Sequence, residues 1–280
     1  MPEFKSNSGL PKNTSTSAGT LIAETALMEA PSREQLAQLA NGDPYIALRD
    51  LRVGYSDMEV VHGFDLMVGK GQSLCIVGPN GAGKSTVLHA LFGLADIFGG
   101  SIEIAGRDVT GASVSAMLMQ SKAVYVLQSS SIFPDMSVED NLFMGGFLMD
   151  SRHLVQEAAE RIFDAYPKLA QHRNDPAGAL SGGERRMLEL SRALITEPEI
   201  IMVDEPSIGL EPRAVESVFE MLERLQRHEG KTIIVVEQNA KKGLQFADIG
   251  YVIVSGRLAL ADHAADLLKN PRVSRLFLGG

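Results

Sequence analysis

Several residues in this sequence are of the types and at the spacings that handle phosphate. The run Gly78-Pro79-Asn80-Gly81-Ala82-Gly83-Lys84-Ser85-Thr86 is Gly-x-x-x-x-Gly-Lys-Ser. Its glycines let backbone N–H groups turn inward and approach a phosphate closely. Lys84 supplies a full positive charge for β- and γ-phosphates, and Ser85 a hydroxyl for Mg²⁺. A second cluster, Asp204-Glu205, ends an apolar run, Ile200-Ile201-Met202-Val203. Asp204 is placed for the shell of the Mg²⁺, and Glu205 to polarise a water for in-line attack on a γ-phosphate. Gln128 and Gln238 each follow a strand-like run and are placed to touch the metal, the γ-phosphate or the water. Gln238 cannot take up a proton as a histidine can. Ser181-Gly182-Gly183 opens a helix and offers a second anion-binding end, with a hydroxyl and free N–H groups but no lysine. Tyr55, in a loop after Val53-Gly54, could stack on an adenine ring or pack locally.

The elements that must hold these groups follow from the apolar pattern. Leu74-Cys75-Ile76-Val77 is a strand delivering the glycine loop to a helix with Val87, Leu88, Leu91 and Phe92. Ala123–Leu127 reads as a strand, Ile200–Val203 as a buried central parallel strand and Thr232–Val236 as a further buried strand, and Pro212 starts a helix between the last two. Strands are expected near Ile46–Arg49, Val60–Val68 and Ser101–Ala105, with a hairpin around Ser255-Gly256. From about 130 to 182 the pattern turns helical; apolar residues at 154, 155, 158, 159, 162, 163 and 166 follow a helix face. Phe143, Met144, Phe147 and Met149 there could form the insertion's own core or meet a partner. Residues 1–43 read as a flexible extension: Lys5–Thr20 is Ser/Thr/Asn/Gly-rich, and Ser32 could cap a short helix to Ala40.

Composition narrows the class. At 280 residues the chain is one large domain or one domain with a subdomain, and 45% apolar with 22% charged residues is that of an ordinary globular protein. A net charge of −9 argues against a nucleic-acid partner. The single cysteine, Cys75, excludes an internal disulfide and fits a reducing cytoplasm. The six histidines share no metal-ligand spacing. No apolar run reaches membrane-spanning length, and no signal-peptide pattern opens the chain.

Taken in order, the glycine loop, Gln128, Leu180-Ser181-Gly182-Gly183-Glu184, Asp204-Glu205 and Ser207-Ile208-Gly209-Leu210-Glu211-Pro212 resemble the nucleotide-binding subunit of an ABC transporter over residues 44–280. Asn141–Phe147, Val236-Glu237-Gln238-Asn239-Ala240 and the terminal Leu276–Gly280 look like the ATPase branch of branched-chain amino acid importers; urea and short-amide importers use related subunits. The resemblance implies an α/β P-loop ATPase core with a mainly parallel sheet, an antiparallel β subdomain and an all-helical insertion. It implies ATP and Mg²⁺, and permease subunits that dock near the Gln128 loop. The partner ATPase is usually a different chain, although a homodimer is open. An external solute-binding protein acts indirectly, and the subunit sits peripherally on the cytoplasmic face of the membrane. In the implied head-to-tail dimer, ATP lies between the glycine loop of one subunit and Ser181-Gly182-Gly183 of the other. Three departures stand out: Glu184 where most families have Gln, Glu211 where Asp is usual, and Gln238 where most have His. The first and last are similar to this importer branch itself. Two other readings are an ABC ATPase acting on ribosomes or DNA, and a nucleotide-sensing subunit with a weakly active site.

Overall fold

The computed structural model describes residues 30–128 and 131–277. Helix α1 (Arg33–Leu39) leads into the hairpin β1 (Ile46–Tyr55) and β2 (Met58–Val68), and β3 (Ser73–Val77) then delivers the glycine loop to α2 (Lys84–Phe92). Strands β4 (Asp96–Ile104) and β5 (Arg107–Asp108), helix α3 (Val114–Met119) and strand β6 (Ala123–Val126) follow. A helical stretch comes next: α4 (Val138–Gly145), α5 (Arg152–Ala165), α6 (Pro167–Gln171) and α7 (Gly182–Leu194). The chain closes with β7 (Ile200–Asp204), α8 (Pro212–Arg227), β8 (Thr232–Val236), α9 (Ala240–Phe246), the hairpin β9 (Ile249–Val254) and β10 (Arg257–His263), α10 (Ala264–Leu267) and α11 (Pro271–Phe277).

Two sheets result. One has the order β2-β1-β4-β5 and is antiparallel; the other has the order β10-β9-β3-β8-β7-β6. In the larger sheet every pairing from β9 to β6 is parallel, and only the β9–β10 edge is antiparallel. The residue types explain this. Every position of β3, β7 and β8 is buried, as expected of strands covered by helices on both faces. Helix α8 starts at Pro212, whose fixed φ suits a first helical position, and lays Val218, Phe219, Leu222 and Leu225 on the sheet.

The helical insertion has its own core, in which Val138, Leu142, Ala159, Ile162 and Leu188 come together. Phe143 and Met149 pack against it, whereas Met144 and Phe147 remain exposed at 41% and 80%. The four apolar residues therefore divide between core and surface.

Two expectations are corrected. The flexible extension read as running to residue 43 gives way to ordered structure well before that. The short helix expected to be capped by Ser32 is present as α1: Ser32 and Gln35 form a capping box, Leu36 is fully buried in the main core, and Arg33 pairs with Asp65 of β2 at 3.0 Å. The disorder expected for Lys5–Thr20 lies outside the described residues. Tyr55 is not in a loop: it is the last residue of β1, paired with Met58 across the turn Ser56-Asp57. Gly54 looks like a strand breaker in sequence but is needed for the pairing, because a Cβ there would sit 1.8 Å from the Met58 carbonyl oxygen.

Candidate nucleotide site

Strands β3, β6, β7 and β8 run in one direction, so the residues that follow them gather at one sheet edge. A cavity of about 490 Å³ opens there. Tyr55, Asn80, Gly81, Gly83, Lys84, Ser85, Thr86, Gln128, Glu205 and Gln238 line it, with Met58, Val60 and Ile208. Gly78, Pro79 and Ala82 belong to the loop but not to this wall. The loop geometry requires glycine: Gly81 and Gly83 take φ of +76° and +99°, and a Cβ on Gly78 would meet the Ile253 carbonyl oxygen at 2.2 Å. The Lys84 ammonium is nearly buried and donates to the carbonyls of Gly78 and Pro79, both at 3.1 Å.

The two carboxylates that end β7 have different surroundings. The Tyr125 hydroxyl donates to Asp204 Oδ2 at 2.9 Å, while Oδ1 is buried and has no hydrogen-bond partner among the described residues. Burial first, and then the Asp204 charge, holds the Tyr125 hydroxyl protonated far above the usual phenol range. Glu205 sits at φ +44°, a left-handed backbone that swings its side chain off the strand direction and into the cavity. Its Oε2 accepts from Gln128 Nε2 at 2.6 Å.

Three supporting residues had no sequence signal beyond their polarity. Arg186 is buried and donates to the Leu127 carbonyl, the Glu189 carboxylate and the Asp204 carbonyl, at 2.8, 2.8 and 3.0 Å. It thus joins helix α7 to the strand ends that carry Gln128 and Asp204. Glu237 is buried beside Gln238 and accepts from the N–H groups of Ser207 and Asn239, at 3.0 and 2.9 Å. Its burial pushes the carboxyl above the usual range. His89, outside the cavity wall, lies with its Nδ1 2.5 Å from the Tyr55 hydroxyl.

Ser181-Gly182-Gly183 does not reach this cavity. Ser181 caps α7, and its hydroxyl and N–H, expected to be free, both donate to Glu184 Oε2, at 2.7 and 2.9 Å. That hydrogen bonding keeps the Glu184 carboxyl below the usual range. Ser181 and Gly183 line a separate cleft of about 530 Å³ against α8. No group of three His, Cys, Asp or Glu side chains that could hold a metal occurs among the described residues.

The sequence profile of the ABC transporter family matches residues 61–208. The chain belongs to the ABC transporter family. This ABC chain is 39% identical over 226 residues to the high-affinity branched-chain amino acid transport ATP-binding protein BraG of Pseudomonas aeruginosa, covering 81% of this chain and 96% of BraG. It is 33% identical to the probable branched-chain amino acid transport ATP-binding protein LivF of Archaeoglobus fulgidus, covering 82% and 96%. Its fold superposes with a TM-score of 0.75 on the ADP conformation of an ATP-binding cassette of an ABC transporter, 25% identical, over 85% of this chain and all of that one. It is an ABC ATPase, with the α/β architecture of that family. None of its described helices is long and apolar enough to cross a membrane.

Proposed function

We propose that this chain is the ATP-hydrolysing subunit of a membrane importer for branched-chain amino acids or a related small solute such as urea or an amide. The observation that carries the reading is one cavity that gathers the glycine loop, Gln128, Glu205 and Gln238 in a chain that is similar to BraG over 96% of BraG's length. In this reading the loop N–H groups of Gly78–Thr86 cradle the phosphates, Lys84 neutralises the β- and γ-phosphates and Tyr55 stacks on the base. Glu205 takes the proton of an attacking water, oriented by Gln128 and Gln238. Mg²⁺ fits the remaining donors: Ser85 lines the cavity, Gln128 faces it, and Asp204 has an unpartnered buried oxygen. When bound, the ion would neutralise charge developing on the phosphate oxygens.

Ser181-Gly182-Gly183 would complete the cavity of a second ATPase subunit, in a head-to-tail pair that is a heterodimer or a homodimer. The groove of about 400 Å³ lined by Phe133, Met144 and Arg192, beside the end of β6, would receive a helix of the permease. The subunit would then lie on the cytoplasmic face of the membrane, and an external solute-binding protein would act through the permease. The test is Glu205→Gln in the assembled complex. ATP binding is expected to persist while turnover falls by about 10²–10⁴-fold. Turnover at the parent rate would remove Glu205 from the proposed role.

A further inference from the structure

We propose that His89 is a positioning residue that holds the Tyr55 ring in the attitude from which it stacks on the base of the nucleotide. The inference rests on the reading of Tyr55 as the base-stacking residue and adds the group that sets it. Tyr55 ends a strand of the antiparallel sheet and is 37% exposed, so its own hairpin does not fix the ring. The phosphate loop belongs to the other sheet. Something must hold the base end of the cavity in register with its phosphate end, and α2 carries that link. Ser85 and His89 are four residues apart on α2, so both lie on one face of the helix. Ser85 lines the cavity, and one turn on, the Nδ1 of His89 lies 2.5 Å from the Tyr55 hydroxyl.

The rest of the histidine's surroundings fit this role. Its ring meets Tyr55 edge-on at 6.0 Å and 78°. It also meets Tyr125 edge-on at 5.5 Å and 81°. Tyr125 is itself committed, through its hydroxyl, to Asp204. The imidazole thus contacts both the hydrogen-bonded Tyr125 ring and the Tyr55 ring. Burial lowers the basicity of His89, favouring a neutral ring whose Nδ1 accepts the Tyr55 proton. His89 does not line the cavity and so acts only through Tyr55.

The test is calorimetric titration of the full chain with ATP and, separately, with inorganic tripolyphosphate, both in Mg²⁺ buffer. Tyr55→Phe and His89→Leu each remove the same hydrogen bond from opposite ends. Each is expected to weaken ATP by about 3–10-fold, the factor of one ordinary hydrogen bond. The double variant should be no weaker than either single one. Tripolyphosphate affinity should not change, and His89→Asn, which keeps an acceptor near the Nδ1 position, should restore most of the loss. If Tyr55→Ala weakens ATP but Tyr55→Phe and His89→Leu bind like the parent, the role of His89 is overturned while base stacking stands. If Tyr55→Ala leaves ATP affinity unchanged, stacking and positioning both fall. Equal losses for ATP and tripolyphosphate would mean a distorted phosphate loop and would also overturn the proposal. Tyr55→Phe leaves the helix untouched and carries the test if His89→Leu does not fold.

Discussion

Asp204 and Glu205 are neighbours in sequence, yet the backbone between them separates their roles. Asp204 ends a strand and points one oxygen at Tyr125, leaving the other free. Glu205 follows in a left-handed conformation and turns toward Gln128. Without that turn both carboxylates would follow the strand's alternation to opposite faces. Glu237 shows the same economy, with one oxygen for Ser207 and the other for Asn239. His89 yields a pH prediction. Burial lowers its pKa below the usual value of 6.5, with the Asp204 charge opposing. The unfolded chain then binds more protons than the folded one at mildly acid pH, so this contribution to stability is present above the usual value and is lost as pH falls through the lowered one. Chemical denaturation from pH 7.5 to pH 5 should therefore show the parent losing stability relative to His89→Asn. A constant difference between the two would show that His89 does not titrate on unfolding.

At the scale of elements, helix ends do much of the arranging. Helix α7 is capped by Ser181, and Glu184 completes the capping box, setting a carboxylate where the proposed dimer would bring a phosphate. Glu184→Gln keeps an acceptor for the Ser181 N–H, so stability should change by less than about 0.5 kcal/mol. It removes one negative charge, so in a Glu205→Gln background the ATP-dependent dimer should form at lower ATP concentration, read by size-exclusion chromatography. An unchanged ATP midpoint would mean the charge at 184 does not oppose closure. Many elements were legible in sequence. Strands β3, β7 and β8 are unbroken apolar runs, and the spacing of Val155, Ala158, Ala159 and Ile162 is that of a helix. Strand β4 was read only from Ser101, because Phe98-Gly99-Gly100 looks like a turn; its pairing with β1 extends it back to Asp96 across two register shifts. Helices α3 and α9 are six and seven residues long, too short for a periodicity to show. The glycine loop, Gln128, Glu205 and Gln238 were legible because chemistry dictates their types. Tyr125, Arg186, Glu237 and His89 were not, because each acts through partners brought near only by folding, as Tyr125 does with Asp204, 79 positions away.

For the whole molecule, the antiparallel sheet supplies Tyr55, the parallel sheet supplies the phosphate loop and carboxylates, and the helical insertion carries Ser181 elsewhere. Helix α1 adds to this frame: Leu36→Ala, in the main core, should cost about 2–5 kcal/mol in urea unfolding. A loss below about 1 kcal/mol would mean α1 is only loosely docked. Within one chain Ser181 lies away from the phosphate loop, and the groove beside Phe133 is open; the proposed second ATPase and permease rest on these two features. The most direct measurement is to solubilise the source membranes in mild detergent, capture the full chain and identify its partners by mass spectrometry. Two multi-spanning permeases with a sister ATPase or a second copy are the predicted result. Capture with ribosomal or DNA-associated proteins instead, and no membrane protein, would contradict the importer reading while leaving the ATPase fold in place.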